Sequence, residues 1–193
     1  MARPSRYRRE DVLEKAMQAF WNEGYNATGM ADLVSATDMR PGSLYASFNS
    51  KRELFLASID LYGQRSVANI QQGLDSSASP LTGVRQLLRK LARDTVSKQG
   101  KRSCFLVNSV LEMARQDPAV RERVNVYFRQ IESLLRRKLK QAQAEGELGA
   151  DRDPRAIATF LLNNIWGLRV LAGTDPGPRR AQDIVRLALS VLD

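Results

Sequence analysis

The chain offers few side chains for covalent or metal chemistry. Its 193 residues include no histidine and one cysteine, Cys104. A zinc site of the Cys/His type, a disulfide within the chain and a histidine-based catalytic triad are therefore excluded. The sequence also has no glycine-rich phosphate loop and no cluster of metal-ligand residues. We expect a protein that is not an enzyme and that needs neither a cofactor nor a metal ion.

Cys104 is the most reactive side chain available. It follows Lys101 and Arg102, and these cations would favour the thiolate if they reach the sulfur. A thiolate there could sense electrophiles or oxidants. The alternative is an inert thiol in a core, which is the commoner role of a lone cysteine. Both alternatives stay open from the sequence.

Two polar residues one helical turn apart, Asn108 and Glu112, interrupt a mostly apolar segment. If they are buried they need hydrogen-bond partners, and a polar group of a bound small molecule would be one. Aromatic residues elsewhere in the same part of the chain could complete a pocket. The predicted small-molecule site consists of Cys104, Phe105, Asn108, Glu112, Tyr127 and Trp166. The alternative is that its aromatic side chains only fill a core.

Helices must position these residues, because apolar residues recur with helical period and strand-like alternation is absent. A capping residue followed by proline marks three helix starts, at Ser79, Asp117 and Asp153. The pattern predicts an all-α protein of about nine helices, three of which cover residues 84–96, 103–115 and 118–144. Glycines at positions 24, 100, 146 and 149 are expected where helices stop.

The N-terminal segment has the spacing of a helix-turn-helix. An amphipathic helix over 10–23 ends before Gly24, and Thr28 is expected to cap a second helix over 29–36. A short break precedes a third helix, which begins at Pro41 and ends at Phe48. Two short helices joined by a three-to-four-residue turn are typical of proteins that place the later helix in the major groove of duplex DNA.

The same segment resembles the TetR family of transcriptional repressors. The resemblance covers about a quarter of the chain and is carried by Gly24-Tyr25, Ala27-Thr28, Ala31-Asp32-Leu33, Pro41-Gly42-Ser43-Leu44-Tyr45, Phe48 and Ser50-Lys51-Arg52-Glu53-Leu54-Phe55. It implies a homodimer that binds a double-stranded, palindromic operator and is released by a small-molecule effector. The remainder of the chain resembles the family in helical character and length.

The resemblance also implies roles for single residues. Thr28, Tyr45 and Lys51 match positions that contact phosphates, and Ser43 and Ser47 match positions near the backbone or base edges. Gly42, which has no side chain, would let the recognition helix approach the DNA closely. The alternatives are that Tyr45 only packs beside Phe48 and that Lys51 is a solvated charge.

Two residues depart from the family pattern. Asp38 stands where glycine is usual in the turn, and aspartate tolerates left-handed backbone better than most residues, so we expect the turn to survive. Arg40 stands where a capping serine is usual. Arginine cannot cap as serine does, but it adds a charged donor, and we predict a base or phosphate contact from Arg40.

The sequence predicts three regions: a DNA-binding domain over 1–50, a connecting helix over 51–75, and an effector-binding and dimerisation domain over 76–193. Apolar residues of the last two helices cover more than one helical face, so we expect dimerisation through residues 153–192. An arginine-rich N-terminus containing Arg3, Arg6, Arg8 and Arg9 could form a DNA-contacting arm or be a disordered terminus.

The net charge of +9 gives weaker evidence. Residues 1–65 carry a net charge of +1 and residues 66–193 carry +8, so most of the excess lies outside the predicted DNA-binding domain. A solubilising surface explains such a distribution without a nucleic acid. The sequence shows neither a secretory signal nor a membrane-spanning stretch, so a cytoplasmic protein is expected. The alternative function is a helical protein-interaction module without sequence-specific DNA binding.

Overall fold

The structure is a computed structural model that describes residues 6–97 and 100–193, with the side chains of residues 9–97, 100 and 102–193. Within these ranges the chain forms nine α-helices and no strand, which confirms the all-α prediction. Two 3-10 helices cover Gly100–Arg102 and Ser190–Leu192. The α-helices are α1 (Arg6–Glu23), α2 (Met30–Thr37), α3 (Pro41–Phe48), α4 (Lys51–Asp75), α5 (Pro80–Thr95), α6 (Phe105–Met113), α7 (Pro118–Ala144), α8 (Pro154–Ala172) and α9 (Pro178–Leu189).

The three predicted helix starts are confirmed by their capping bonds. The hydroxyl of Ser79 accepts a bond from the backbone N–H three residues later, at 3.3 Å. The carboxylates of Asp117 and Asp153 accept from the N–H two residues later, at 2.9 and 2.8 Å. In each case the next residue is proline, whose missing N–H would have had no helical partner. Local chemistry therefore fixes where α5, α7 and α8 begin.

Two predicted helices in the N-terminal segment had wrong bounds. Helix α1 begins at Arg6 rather than at residue 10, so the backbone of three of the four arginines of the predicted arm is helical, while Arg3 lies outside the described residues. Helix α2 begins one residue later than predicted, and Gly29 rather than Thr28 takes the capping position. The side chain of Asp32 reaches back to accept from the Gly29 N–H at 2.7 Å.

Of the four glycines predicted to end helices, two do so. Gly24 follows α1 and Gly146 follows α7, with left-handed φ values of 86° and 76°. Gly100 instead begins a 3-10 helix, and Gly149 lies in the turn between α7 and α8. The prediction was wrong at these last two positions because neither directly follows the last turn of an α-helix.

The chain divides into two compact units, and the first combines distant parts of the sequence. It consists of the chain up to residue 65 together with 108–125, that is, the end of α6 and the start of α7. Its core is apolar, and the rings of Phe20 and Phe55 meet edge to face at 5.1 Å. The predicted domain boundaries at residues 50 and 75 remain predictions, since this division follows spatial contacts alone.

The second unit contains residues 66–107 and 126–193. Its core is built by α5, α7, α8 and α9, whose inward faces carry mainly leucine, isoleucine, valine and alanine. Leu88, Leu135 and Leu161 have no accessible surface, as expected for the centre of a helical bundle. None of the described helices combines the length and the hydrophobicity of a membrane-spanning segment.

Candidate nucleic-acid interface

The helix-turn-helix consists of α2, a three-residue turn and α3. Asp38 adopts the left-handed conformation, with φ 57° and ψ 31°, at the end of α2. The prediction that aspartate would preserve this turn is therefore confirmed. Helix α3 has the predicted bounds, and Leu44 and Phe48 anchor it, with 1% and 4% of their surface exposed.

The rest of the first turn of α3 faces outward. Gly42 and Ser43 are exposed, and Tyr45 retains 47% of its accessible surface. Ser47, one turn further along, is half-buried. A helix held by two buried side chains thus presents small and hydrogen-bonding residues at its N-terminal end, which is the end that reads base edges in helix-turn-helix proteins.

Arg40 and Gly42 are both exposed at the start of α3. Arg40 occupies the position before α3 in extended backbone, is exposed, and makes no side-chain capping bond. A Cβ added at Gly42 would meet no atom within 4 Å. Packing within the described protein therefore does not require glycine at position 42, and its role in the approach to DNA stays a prediction.

Lys51 lies in the first turn of α4 and is held in place by an aromatic ring. Its Nζ atom lies 4.3 Å from the centroid of the Tyr25 ring, in cation–π geometry. Tyr25 is fixed in turn against Phe55, with ring centroids 4.8 Å apart. Burial raises the pKa of the Tyr25 phenol, and the nearby Asp117 carboxylate raises it further. An ordered ammonium group thus stands at the N-terminus of a long helix, where anions are favoured.

Thr28 does not have the exposure that its predicted role requires. Only 1% of its surface is accessible, and its hydroxyl donates to the carbonyl oxygen of Gly24 at 2.6 Å. A buried hydroxyl that is already bonded cannot reach a phosphate in this conformation. Thr28 therefore stabilises the turn between α1 and α2, and its side chain is not placed to contact a phosphate.

Arg9, which the sequence placed in a possible DNA-contacting arm, packs instead against α3. Its guanidinium lies 4.7 Å from the centroid of the Phe48 ring, and its Nη1 donates to the backbone carbonyl of Ser47 at 3.2 Å. These contacts join α1 to the C-terminal end of α3, where a cation also complements the helix dipole. Arg9 therefore helps to fix the orientation of α3.

Glu112 holds the turn that follows α1. Its two carboxylate oxygens accept the backbone N–H groups of Tyr25 and Asn26, at 2.9 and 2.8 Å. A Cβ added at Gly24 would lie 3.0 Å from one of these oxygens, so glycine there both adopts positive φ and admits the carboxylate. The sequence placed Glu112 in a small-molecule site. Its polar partners prove to be backbone N–H groups of the first unit.

A second link within the first unit joins α4 to the start of α7. The Nε and Nη2 atoms of Arg52 donate to the two carboxylate oxygens of Asp117, at 2.6 and 2.9 Å. This paired geometry makes a strong charge-assisted contact. The hydrogen bond from Arg52 lowers the pKa of Asp117 against the opposing effect of burial, and the same bond raises the pKa of Arg52. Arg123 and Asp60 form a further ion pair, at 2.6 Å.

The link between Arg52 and Asp117 predicts a specific dependence of stability on pH. The folded state lowers the pKa of Asp117, so its contribution is complete above about pH 4, the ordinary pKa of aspartate, and is lost as pH falls through the folded-state value. We expect Asp117→Asn to lower the melting temperature by a few degrees at pH 7. The difference in melting temperature between wild type and variant should become smaller from pH 5 to pH 2.5. Scanning calorimetry at a series of pH values measures this difference.

Asp11→Asn is the matched control, because Asp11 is an exposed carboxylate on α1 of the same unit. This variant should follow the wild type at every pH. A constant difference between wild type and Asp117→Asn across the range would contradict the assignment, because it would mean that the protonation of Asp117 does not weaken the contact with Arg52.

The other predicted small-molecule residues are divided between the two units. Asn108, like Glu112, belongs to the first. In the second, Phe105 and Tyr127 are buried, and Trp166 is half-buried against Phe128 with ring centroids 4.4 Å apart. Cys104 is half-exposed in the turn before α6. Binding of an effector by any of these residues stays a prediction, as does the choice between a sensing and an inert Cys104.

Helix α8 has one buried and one exposed apolar face, as the sequence predicted. Ile157, Leu161 and Leu168 are buried within the second unit. The opposite face leaves Phe160 and Val170 exposed, at 44% and 49% of their surface. Small or polar residues complete this exposed face. We call it the α8 outer face, and it consists of Ala156, Phe160, Asn163, Gly167 and Val170. On α9 the large exposed apolar residue is Leu187, at 63%.

A helix-turn-helix with an exposed recognition helix, carried on an all-α chain, defines a DNA-binding transcriptional regulator. The comparisons with known proteins agree. Residues 12–58 match the model of bacterial regulatory proteins of the tetR family, and residues 80–186 match the tetracyclin repressor-like C-terminal domain. The second match alone covers more than half of the chain. The chain belongs to the tetR family, whose members act as homodimers on duplex DNA and respond to small-molecule effectors.

Similarity to individual relatives extends over most of the chain. The HTH-type transcriptional repressor ComR of Escherichia coli K12 is 31% identical over 171 residues, covering 88% of this chain and 81% of ComR. An uncharacterised regulator of Bacillus subtilis, YezE, is 29% identical and covers 94% of both chains. A cysteine-substituted TetR family regulator, CifR, solved with 26-base-pair operator DNA, is 31% identical, with a TM-score of 0.85 and 98% coverage of both chains.

Proposed function

We propose that the protein is a repressor that binds a palindromic operator as a dimer and leaves it when a small molecule binds. The observation that carries the proposal is the exposed N-terminal turn of α3, together with the ammonium group of Lys51 held at the start of α4. Repression is supported by the similarity to the repressor ComR, and an operator of duplex DNA by the similarity to CifR in its DNA complex. A DNA-bound regulator works in the cytoplasm, and we assign it no catalytic activity.

We propose distinct tasks for the exposed residues. Arg40 and Ser43 would contact base edges or the adjacent phosphates, since they stand at the start of α3. Tyr45 and Lys51 would contact phosphates, Tyr45 through its hydroxyl and Lys51 through its charge. Gly42 would allow the helix backbone to approach the DNA. Ser47 would donate a weaker contact to the backbone, because it is half-buried and one turn further along.

We propose that residues 108–125 carry the effector signal to the DNA-binding helices. This segment supplies Glu112 and Asp117, each bonded to the N-terminal part of the first unit. An effector that shifts α6 or α7 would pull on the turn after α1 and on α4 through these bonds. The effector itself would bind within the second unit, among Cys104, Phe105, Tyr127 and Trp166.

Glu112→Ala is expected to weaken both folding and operator binding. Removing the carboxylate leaves the N–H groups of Tyr25 and Asn26 without their acceptor, and each loss costs about 1 kcal/mol at a partly exposed site. We expect a free energy of unfolding lower by about 2 kcal/mol, and operator affinity lower by several-fold, because the turn that orients α2 is loosened. Urea denaturation and fluorescence anisotropy measure the two effects.

The matched control is Glu23→Ala. Glu23 is the last residue of α1, is exposed, and precedes the same turn. This substitution should change stability by less than about 0.5 kcal/mol. Equal stability of Glu112→Ala and Glu23→Ala would show that the bonds to Tyr25 and Asn26 contribute nothing and would remove the proposed link.

Selection of genomic fragments on the purified protein tests the function directly. We expect enrichment of a palindrome whose affinity falls steeply with salt, since each neutralised phosphate adds about 0.9 to the slope of log K against log salt. Lys51→Gln should flatten that slope by about 1.8, one phosphate in each half-site of a dimer. No enriched site, with binding indifferent to sequence, would overturn the proposal in favour of a protein-interaction module.

A further inference from the structure

A groove of about 600 Å³ lies between α5 and α9 in the second unit. Its size falls within the range of small-molecule sites in proteins, which is about 300 to 1,000 Å³. None of the residues predicted to bind the effector lines it. The groove is therefore separate from the predicted effector site.

The floor of the groove is apolar. Ala92 of α5 and Val185 and Leu189 of α9 form it, and 4 to 6% of the surface of each is exposed. These side chains also belong to the core of the second unit, so they are held in fixed positions. A floor of this kind favours a ligand with an apolar portion, since burial of that portion removes hydrocarbon surface from water.

The rim of the groove is cationic. Arg85, Arg89 and Arg93 recur every four residues along α5, which places them on one side of the helix over about 12 Å. Arg186 faces them from α9. The groove thus collects part of the positive charge that residues 66–193 carry in excess.

Two of the four arginines are neutralised by carboxylates. Arg85 pairs with Asp193 at 2.6 Å and also donates to the Leu192 carbonyl at 3.2 Å. Arg186 pairs with Asp183 at 2.9 Å. Arg89 and Arg93 are exposed, and neither has an ion-pair or hydrogen-bond partner for its side chain among the residues described. Two like charges one helical turn apart repel each other, and an anion between them would relieve that repulsion.

We propose that this groove binds an amphipathic organic anion, with its carboxylate or phosphate head on Arg89 and Arg93 and its apolar tail on Val185 and Leu189. Guanidinium groups suit both heads, because they donate two parallel hydrogen bonds to adjacent oxygens. A second copy of the chain is a poorer occupant, because a two-fold contact centred here would set the arginines of one protomer against those of the other.

The test follows the methyl groups of the floor by NMR. Isotope-labelled full-length protein is titrated with decanoate, with decyl phosphate and with decanol, which is an uncharged chain of the same length. We expect saturable shifts of the Val185 and Leu189 methyl signals with both anions, and at least tenfold weaker binding of decanol. The anion that binds with the higher affinity identifies the preferred head group. This measurement needs no DNA, so it succeeds or fails independently of the proposed operator binding.

Arg89→Gln with Arg93→Gln should weaken the binding of either anion at the floor at least tenfold. The matched control is Arg136→Gln with Lys140→Gln, which removes two exposed cations one turn apart on α7. The affinity of this control variant for each anion should stay within twofold of that of the wild type. Three results would overturn the proposal: equal affinities for decanol and the anions, equal affinities in the two double variants, or shifts confined to methyl groups away from the groove.

Discussion

Replacing Tyr45 by alanine is expected to weaken operator binding about 100-fold. A hydrogen bond to a charged group contributes about 1.5 to 3 kcal/mol. Loss of the lower value from each of two half-sites, about 3 kcal/mol in all, weakens binding by slightly more than 100-fold. The protein should remain folded, because 47% of the Tyr45 surface is exposed and Leu44 and Phe48 anchor α3 without it. Fluorescence anisotropy at fixed salt measures the affinity, and thermal unfolding checks the fold.

Two further variants separate the possible causes. Tyr45→Phe keeps the ring and removes the hydroxyl, so it should show most of the loss if the hydroxyl contacts a phosphate. Arg121→Ala truncates an exposed cation on α7 of the same unit and should leave affinity within twofold of the wild type. Unchanged affinity of Tyr45→Ala would assign this residue to surface packing alone and leave Arg40, Ser43 and Lys51 as the contacts of the interface.

Gly167→Arg is expected to convert the dimer into a monomer. Gly167 lies in the middle of the α8 outer face, between the exposed side chains of Phe160 and Val170. A Cβ there meets no atom within 4 Å, and a helix interior favours arginine over glycine by about 1 kcal/mol, so the protomer should fold as well as before. In a dimer that packs α8 closely, the long charged side chain would instead separate the helices.

Light scattering at micromolar concentration measures the outcome of Gly167→Arg. The wild type should have twice the chain mass of 21.7 kDa, as a dimer, and the variant should have the mass of a single chain. Operator affinity should fall at least about 100-fold, because linkage of two half-sites typically supplies avidity of that order. Gly73→Arg is the matched control, since Gly73 is also an exposed helical glycine with open space around it. A dimeric Gly167→Arg would place the interface on another face.

The features predicted correctly from sequence are those that local chemistry decides. The starts of α3 and α7 follow from proline at the first position of each helix, and the left-handed turn follows from the tolerance of Asp38 for positive φ. The outward first turn of α3 follows from the spacing of Leu44 and Phe48. All of these depend on residues within a few positions of one another.

The features that escaped prediction depend on contacts between distant segments. Glu112 bonds to Tyr25 across 87 positions, and Arg52 bonds to Asp117 across 65. Neither periodicity nor a local motif predicts such a pair, because the distance between two residues along the sequence does not indicate whether they are in contact. The burial of the Thr28 side chain was not predicted from the sequence for a related reason. A family pattern assigns a position in the chain, whereas the direction of a side chain depends on packing around it.

The first unit is assembled from two separate segments of the sequence, which affects both its folding during synthesis and the design of chimeric regulators. On the ribosome, the N-terminal 65 residues emerge well before residue 125, so the bonds from Glu112 and Asp117 form only after α5 and α6 have been synthesised. A chimera that joined residues 1–65 to the remainder of another regulator would lose both carboxylates. Exchanging DNA specificity between regulators of this kind therefore calls for transplanting 108–125 with the N-terminal helices.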